Sequence, residues 1–406
     1  RVEPTRVEQT LFELNRVPES QNRVAGRRVA SRQEMSKVVP EQILMGAPLP
    51  PAEELRAQPA VPGNGCPCQC CGGAPAPIDV RKIVAAGGKY EQSADGRIIE
   101  YYVYGSSQPD AKIFLQINGS SGTGRVFSRL KGMADRLAAE NVRGIAISVP
   151  GHGLSSNHPA RRIGDWPRDD VAVVFAQEGV TGEFMVEGTS YGSSHCLAVM
   201  HHFSDRVTHA HLHVPYVSRQ VRRDAGMTLV AKEEFTYGHN LQKEDQHYRM
   251  GASCHPMNLC MFCACSTLMM PSCIKAAMIN AYAKKRDAEE VGYSATETQV
   301  EDMIHCASHS PHGLIYNALS GTIVGNWGFD PRETNVEKIK VLVSYAELDE
   351  SSPGENGKFL ADYYTQKAAK CVVNVGSKPQ SENGGGHDSH LVAWLRGDLL
   401  VQMLAM

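Results

Sequence analysis

The chain has 406 residues, 42% of them hydrophobic and 21% charged, with a formal net charge of −3. That balance suits a folded domain with a sizeable core and excludes a basic nucleic-acid surface as the basis of function. The longest apolar stretch, Leu259–Met270, has 12 residues; it is too short to span a bilayer.

Residues 1–78 read as a tail. It holds one weak helical stretch, Val7–Val17, then "GAPLPPAEELRAQPAVPGNG", rich in Pro, Ala and Gly. Such a composition buries too little apolar surface to offset its ordering entropy, so disorder is expected. From about Pro77 the pattern changes. Arg97–Gly105 follows an Asp95-Gly96 turn and reads as a hairpin strand. Ala111–Gly119 is a buried strand, Gly124–Val142 an amphipathic helix, Arg143–Gly151 a strand and Asp169–Gly179 a helix. Gly182–Gly188 is a strand, Ser193–Phe203 a helix and Val207–Pro215 a strand. After a long interval come the strands Ile339–Glu347 and Lys370–Gly376 and a closing helix, His390–Ala405. This alternation predicts an α/β fold: a mostly parallel sheet with helices on both faces. The core is expected over 79–217 and 334–406. Residues 218–333 lack the strand rhythm and read as a helical cap inserted after one strand.

Within "VEGTSYGSSHCLAVM" (Val186–Met200), Ser190 lies between Gly188 and Gly192. With 37 Gly in the chain, the bare G-x-S-x-G spacing has little weight. Its context has more: a strand ends at Gly188 and a helix starts just beyond. A serine on such a turn projects its hydroxyl above the sheet, and the helix N-terminus favours negative charge there. A nucleophilic serine needs a base, and the base needs an acid to orient it. Asp349 follows the strand Ile339–Glu347, with Glu347 and Glu350 as rival acids. His387 sits in "NGGGHDSH" between the last strand and the last helix, with His390 as its rival. An oxyanion needs two N–H donors. The backbone amide of Tyr191 is one candidate. Ser120, in "NGSSGTG" (Asn118–Gly124), is the other.

Together these segments resemble the α/β-hydrolase fold superfamily, in its capped serine esterase and lipase-like branch. The matching parts are "NGSSG", the P-G-x-G-x-S turn in "SVPGHGLSS" (Ser148–Ser156), "GTSYG", "ELDESSP" and "GGGH". The resemblance spans roughly residues 79–406, and only loosely over the insert. It implies a catalytic triad of Ser190, Asp349 and His387, an oxyanion hole of the Ser120 and Tyr191 amides, and no cofactor. Two positions depart from the common pattern: Asn118 stands where His often precedes the glycine, and Ser148 where Asp often opens the P-G-x-G turn. The expected reaction is hydrolysis of a small ester or related acyl substrate through an acyl-enzyme. Two rivals stay open. One is an aminopeptidase-like amide hydrolase, with Glu233, Glu234 or Glu244 holding the substrate amine. The other is a non-catalytic small-ligand receptor on the same fold.

The 12 cysteines cluster. Cys66, Cys68, Cys70 and Cys71 lie in the tail and six more between Cys254 and Cys306. Cys254, His255, Cys260 and Cys263 could be drawn together as zinc ligands, but Cys and Met read better as soft apolar lining of a cap. No metal is expected. No charged-then-apolar leader is visible in the first thirty residues, so the expectation is a cytoplasmic protein with reduced thiols.

Overall fold

Strand residues of opposite parity sort into two separate cores, one on each side of a sheet. Leu115, Ile145, Val186 and Val341 pack in one cluster. Their chain neighbours Phe114, Ala146, Met185 and Leu342 pack in the other. Successive side chains of a strand point to opposite faces, so apolar runs without alternation are what a sheet covered on both faces requires. These positions come from a computed structural model. It describes residues 77–119, 122–158, 162–218, 221, 276, 279–280, 293–306, 327–349, 352–379, 382 and 385–406. The tail, most of the 218–333 segment, the cysteines at 66–71 and 254–273, Ser120, Glu350 and the three candidate amine-binding glutamates lie outside these residues.

In chain order the main elements are α1 (Val80–Ala85), β1 (Lys89–Gln92), β2 (Ile98–Gly105), β3 (Lys112–Ile117), α2 (Arg125–Arg129), α3 (Lys131–Ala139) and β4 (Val142–Ile147). Then come α4 (Ala172–Gln177), β5 (Phe184–Thr189), α5 (Tyr191–His202), β6 (Val207–His213) and α6 (Tyr293–Cys306). The chain closes with β7 (Lys340–Ala346), α7 (Gly354–Lys367), β8 (Lys370–Gly376), α8 (Leu391–Leu395) and α9 (Asp398–Leu404). The eight strands form one sheet in the order β1-β2-β4-β3-β5-β6-β7-β8. β2 is antiparallel to β1 and β4, and every later pairing is parallel. Helices α4, α5 and α7 cover one face through Val174, Leu197 and Leu360. Helices α2, α3, α8 and α9 cover the other through Phe127, Leu137, Trp394 and Leu400.

Every strand expected from the sequence is present. Several helices differ in detail. The helix expected over Gly124–Val142 is two helices, because Leu130 leaves the helical region with ψ 89°. The closing helix is split at Gly397, which adopts a left-handed conformation at φ 73°. That is the geometry in which glycine ends helices. Helix α5 starts at Tyr191, directly after the serine, rather than at Ser193. Strand β1 is absent from the elements expected: "KYEQ" is four residues long with Tyr90 as its single apolar side chain, and has no apolar alternation to betray it. β6 ends at His213 and β7 begins at Lys340, yet the two are parallel neighbours. The described residues of the connection add no strand to the sheet.

Candidate active site

Ser190 occupies the sharp turn between β5 and α5. Its backbone is at φ 53°, ψ −121°, a conformation that non-glycine residues rarely hold and that neighbouring structure must enforce. Several contacts enforce it here. Ser190 N–H donates to the His213 carbonyl at the end of β6 at 2.8 Å. The Ser190 carbonyl accepts from Ser193 N at 2.9 Å and from Ser193 Oγ at 2.5 Å. Gly188 and Gly192 are required by proximity. A Cβ on Gly188 would strike the Gly192 carbonyl, and a Cβ on Gly192 would strike the carbonyls of Ile117 and Asn118. Strand, turn and helix can thus approach one another closely only with glycine at both flanks.

Asp349 and His387 are brought together. His387 Nδ1 lies 2.7 Å from Asp349 Oδ2. The acid side chain is 1% exposed and the imidazole 24% exposed. Asp349 follows β7 and also accepts the Ser352 N–H at 2.9 Å; the Ser352 hydroxyl is anchored to the Pro215 carbonyl at 2.7 Å. His387 sits in a short 3₁₀ turn, Gly386–Asp388, after β8. Of the rivals, Glu347 is exposed, and His390 places Nε2 3.1 Å from the Tyr345 carbonyl. Because β5, β6, β7 and β8 are parallel neighbours, Ser190, Asp349 and His387 all follow carboxyl ends on one edge of the sheet. Ligand chemistry gathers at that edge in open α/β sheets.

His213 lies among these groups. Its ring stands 5.6 Å from that of His211 and 6.3 Å from that of His390. Burial pushes its imidazole far below the ordinary range, and the charges of His211, His390 and His387 push the same way. It is therefore neutral at neutral pH.

On the other side of the serine runs the loop after β3. A Cβ built on Gly119 would lie 3.4 Å from Ser190 Cβ and 3.9 Å from its hydroxyl oxygen, so the loop backbone abuts the serine. Gly119 N–H donates to the Asn118 side chain at 2.7 Å. Ser120 lies outside the described residues. Tyr191, as the first residue of α5, has an N–H that cannot find an acceptor in its own helix. The P-G-x-G-x-S turn supports the loop from below: the Ser148 hydroxyl accepts Gly124 N–H at 3.0 Å, and His152 Nδ1 lies 2.9 Å from the Gly122 carbonyl.

Sequence reasoning passed over four fully or nearly buried acids: Glu100, Asp170, Glu187 and Asp302. Glu187 had a signal, a lone charge inside the apolar strand "FMVEGT". Asp302 had none, since an acid in an amphipathic helix normally reads as its wet face. Among the described residues no group of His, Cys, Asp and Glu converges to hold a metal, and no helix is long and apolar enough to cross a membrane. Cys196, Cys306 and Cys371 are free thiols.

An eight-stranded, mostly parallel sheet with a serine turn after its central strand and an acid and a histidine after later strands is the α/β-hydrolase fold, and the chain has that fold. Solved structures superpose on the chain as follows. An enol-lactonase from Burkholderia xenovorans LB400 superposes with a TM-score of 0.50 at 14% identity, covering 78% of this chain and all (100%) of its own. An esterase from Rhodococcus sp. ECU1013 reaches a TM-score of 0.49 at 20% identity, covering 78% of this chain and 99% of its own. An esterase from Exiguobacterium antarcticum has a TM-score of 0.49 at 17% identity, with 78% and 99% covered. No family model and no curated protein matches the sequence.

Proposed function

We propose that the chain is a serine hydrolase that cleaves a small ester through an acyl-enzyme, with Ser190, His387 and Asp349 as its triad. The observation that carries this reading is the 2.7 Å Asp349–His387 pair at the sheet edge where Ser190 holds its φ 53° turn. The serine hydroxyl oxygen attacks the ester carbonyl carbon while its proton passes to the imidazole of His387. Asp349, on the other ring nitrogen, selects the tautomer that can accept that proton and stabilises the imidazolium that forms. The tetrahedral oxyanion is held by the N–H groups of Tyr191 and Ser120. Its collapse breaks the ester C–O bond, and the leaving alkoxide takes the proton from His387. Water, deprotonated by the same imidazole, then attacks the acyl-serine and frees the acid. Residues 218–333 act as a cap over the acyl pocket, and no step calls for a cofactor.

The test is hydrolysis of p-nitrophenyl acetate by wild type and Ser190→Ala, with fluorophosphonate labelling mapped by mass spectrometry. Loss of turnover and of the label in the variant is expected. Full turnover by Ser190→Ala would overturn the assignment. An enol lactone belongs in the substrate panel, since one protein of the same fold is an enol-lactonase.

A further inference from the structure

Helix α6, between β6 and β7 in the chain, is packed against α2 and reaches the loop beside Ser190. Its Asp302 is 2% exposed. The carboxylate accepts three donors from that loop: Thr123 Oγ1 at 2.5 Å, Thr123 N–H at 2.7 Å and Asn118 Nδ2 at 3.3 Å. Asn118 turns its other amide atom to the Gly119 N–H at 2.7 Å. Gly119 is the residue whose backbone abuts Ser190. A continuous line of contacts therefore runs from Asp302 through Asn118 and Gly119 to the serine. The rest of the helix end is tied to the same neighbourhood. Cys306 accepts the Gly153 N–H at 3.0 Å, and its thiol donates to the Gly122 carbonyl at 3.6 Å. His305 Nε2 pairs with Glu100 of β2 at 2.8 Å.

A buried carboxylate is costly to fold, and its donors recover that cost only in part. Three donors from a single loop, all converging on one carboxylate, serve to hold that loop. We propose that Asp302 is a positioning residue for the oxyanion side of the site: through Thr123 and Asn118 it fixes the peptide at Gly119 against Ser190, so that residues from the 218–333 segment complete a site built on the sheet. The proposal rests on the serine-hydrolase reading above.

The ionised carboxylate can accept from all three donors at once, whereas the protonated acid carries a hydrogen on one oxygen and loosens the grip. Burial pushes the Asp302 carboxyl up to about 6; the two Thr123 donors and His305 pull against that rise and Glu100 adds to it. The groups facing this cluster are His305 and Cys306 from α6, Glu100 and the Tyr102 hydroxyl from β2, Thr123 and Asn118 from the loop, and Arg125 from α2. The positioning is thus present above about pH 6 and lost below it. The stability effect has the opposite sign. An acid raised in the folded state binds its proton more tightly there than in the unfolded chain, so its ionisation costs stability as pH rises.

The experiment compares wild type, Asp302→Asn, Thr123→Val and Thr123→Ser on p-nitrophenyl acetate between pH 5 and 9, with melting curves at pH 8. Asp302→Asn and Thr123→Val lose roughly tenfold or more in kcat with KM changed less than about threefold, as expected for a lost transition-state contact. Thr123→Ser, which keeps the hydroxyl, recovers most of the rate. An ionisation near pH 6 in the wild-type kcat profile is absent from Asp302→Asn, whose melting temperature at pH 8 is no lower than wild type. If Asp302→Asn folds poorly, the Thr123 pair carries the same comparison. Wild-type kcat and acid limb in both Asp302→Asn and Thr123→Val would overturn the proposal while a dead Ser190→Ala leaves the serine-hydrolase reading standing. A fully active Ser190→Ala would remove both.

Discussion

Two carboxylate–histidine pairs of almost the same distance are built on neighbouring strands or the loops that follow them, yet they differ in exposure. Asp349 and His387 meet at 2.7 Å after the ends of β7 and β8, with the imidazole 24% exposed. Glu187 of β5 and His211 of β6 meet at 2.9 Å in mid-sheet, with side chains 2% and 1% exposed. Every polar side-chain atom of the buried pair has a partner. Glu187 also accepts Trp394 Nε1 at 2.6 Å and Gln116 Nε2 at 3.0 Å. His211 places its second ring nitrogen 3.0 Å from the Ser344 hydroxyl. Further bonds extend the row across the sheet, from the Tyr104 hydroxyl on Gln116 to Asn374 on Ser344 and Gln402. A pair whose polar atoms are all bonded inside a buried network rigidifies a core and is closed to a substrate. Pair geometry alone therefore does not mark a site. Exposure and a place at the carboxyl edge of the sheet set the Asp349–His387 pair apart from the buried one.

The comparison can be broken by showing that the two pairs respond alike. The largest effect is expected from Ser190→Ala, a fall in kcat of about 10⁴-fold or more with an unchanged melting curve. Asp349→Asn comes next. Leaving the imidazole in the wrong tautomer lowers kcat by roughly 10³- to 10⁴-fold, again with little loss of stability. Glu187→Ala should behave in the opposite way. It strands the buried donors of Trp394, Gln116 and His211, and denaturant unfolding should show a loss of about 3–5 kcal/mol. Its kcat measured well below the melting temperature should stay within about tenfold of wild type, since Glu187 does not touch the reacting atoms. An Asp349→Asn enzyme that melts early but turns over normally, or a Glu187→Ala enzyme that is inactive yet stable, would reverse the roles assigned to the two pairs. Trp394→Phe gives the smallest effect and the sharpest one. Phe127, which meets the indole edge-on at 5.5 Å, remains as an aromatic neighbour, while the bond to Glu187 and part of the indole's packing are lost. A decrease of about 1–2 kcal/mol is expected by the same unfolding measurement, with kcat unchanged.

Much of the fold was legible because it is written in short windows. The apolar β-branched runs of β4 and β7 announce strands covered on both faces. Gly188 and Gly192 announce a close approach on either side of Ser190, and the structure supplies the carbonyls that forbid a Cβ there. The short strand β1 and the breaks at Leu130 and Gly397 were not read, because a hairpin partner and a helix kink answer to neighbours rather than to periodicity. At the site, the pairing of Asp349 with His387 spans 38 residues, and each lies in a loop anchored to the end of a strand, so position after a strand was a usable guide. The Asp302 contact to Thr123 spans 179 residues and the Trp394 contact to Glu187 spans 207. Nothing local marks either.

By itself, then, the order of residues determined the alternation of strands and helices, the turn at Ser190 and the two loops that bear an acid and a histidine. Each of these depends on backbone preferences and side-chain parity within about ten residues. Only the tertiary structure decided that Asp349 rather than Glu347 meets His387, that Glu187 is locked away with His211, and that Asp302 holds the loop beside the serine. Those outcomes depend on which strands become neighbours and in what register. That choice is made by the summed burial of two cores, and no single window of the chain contains it.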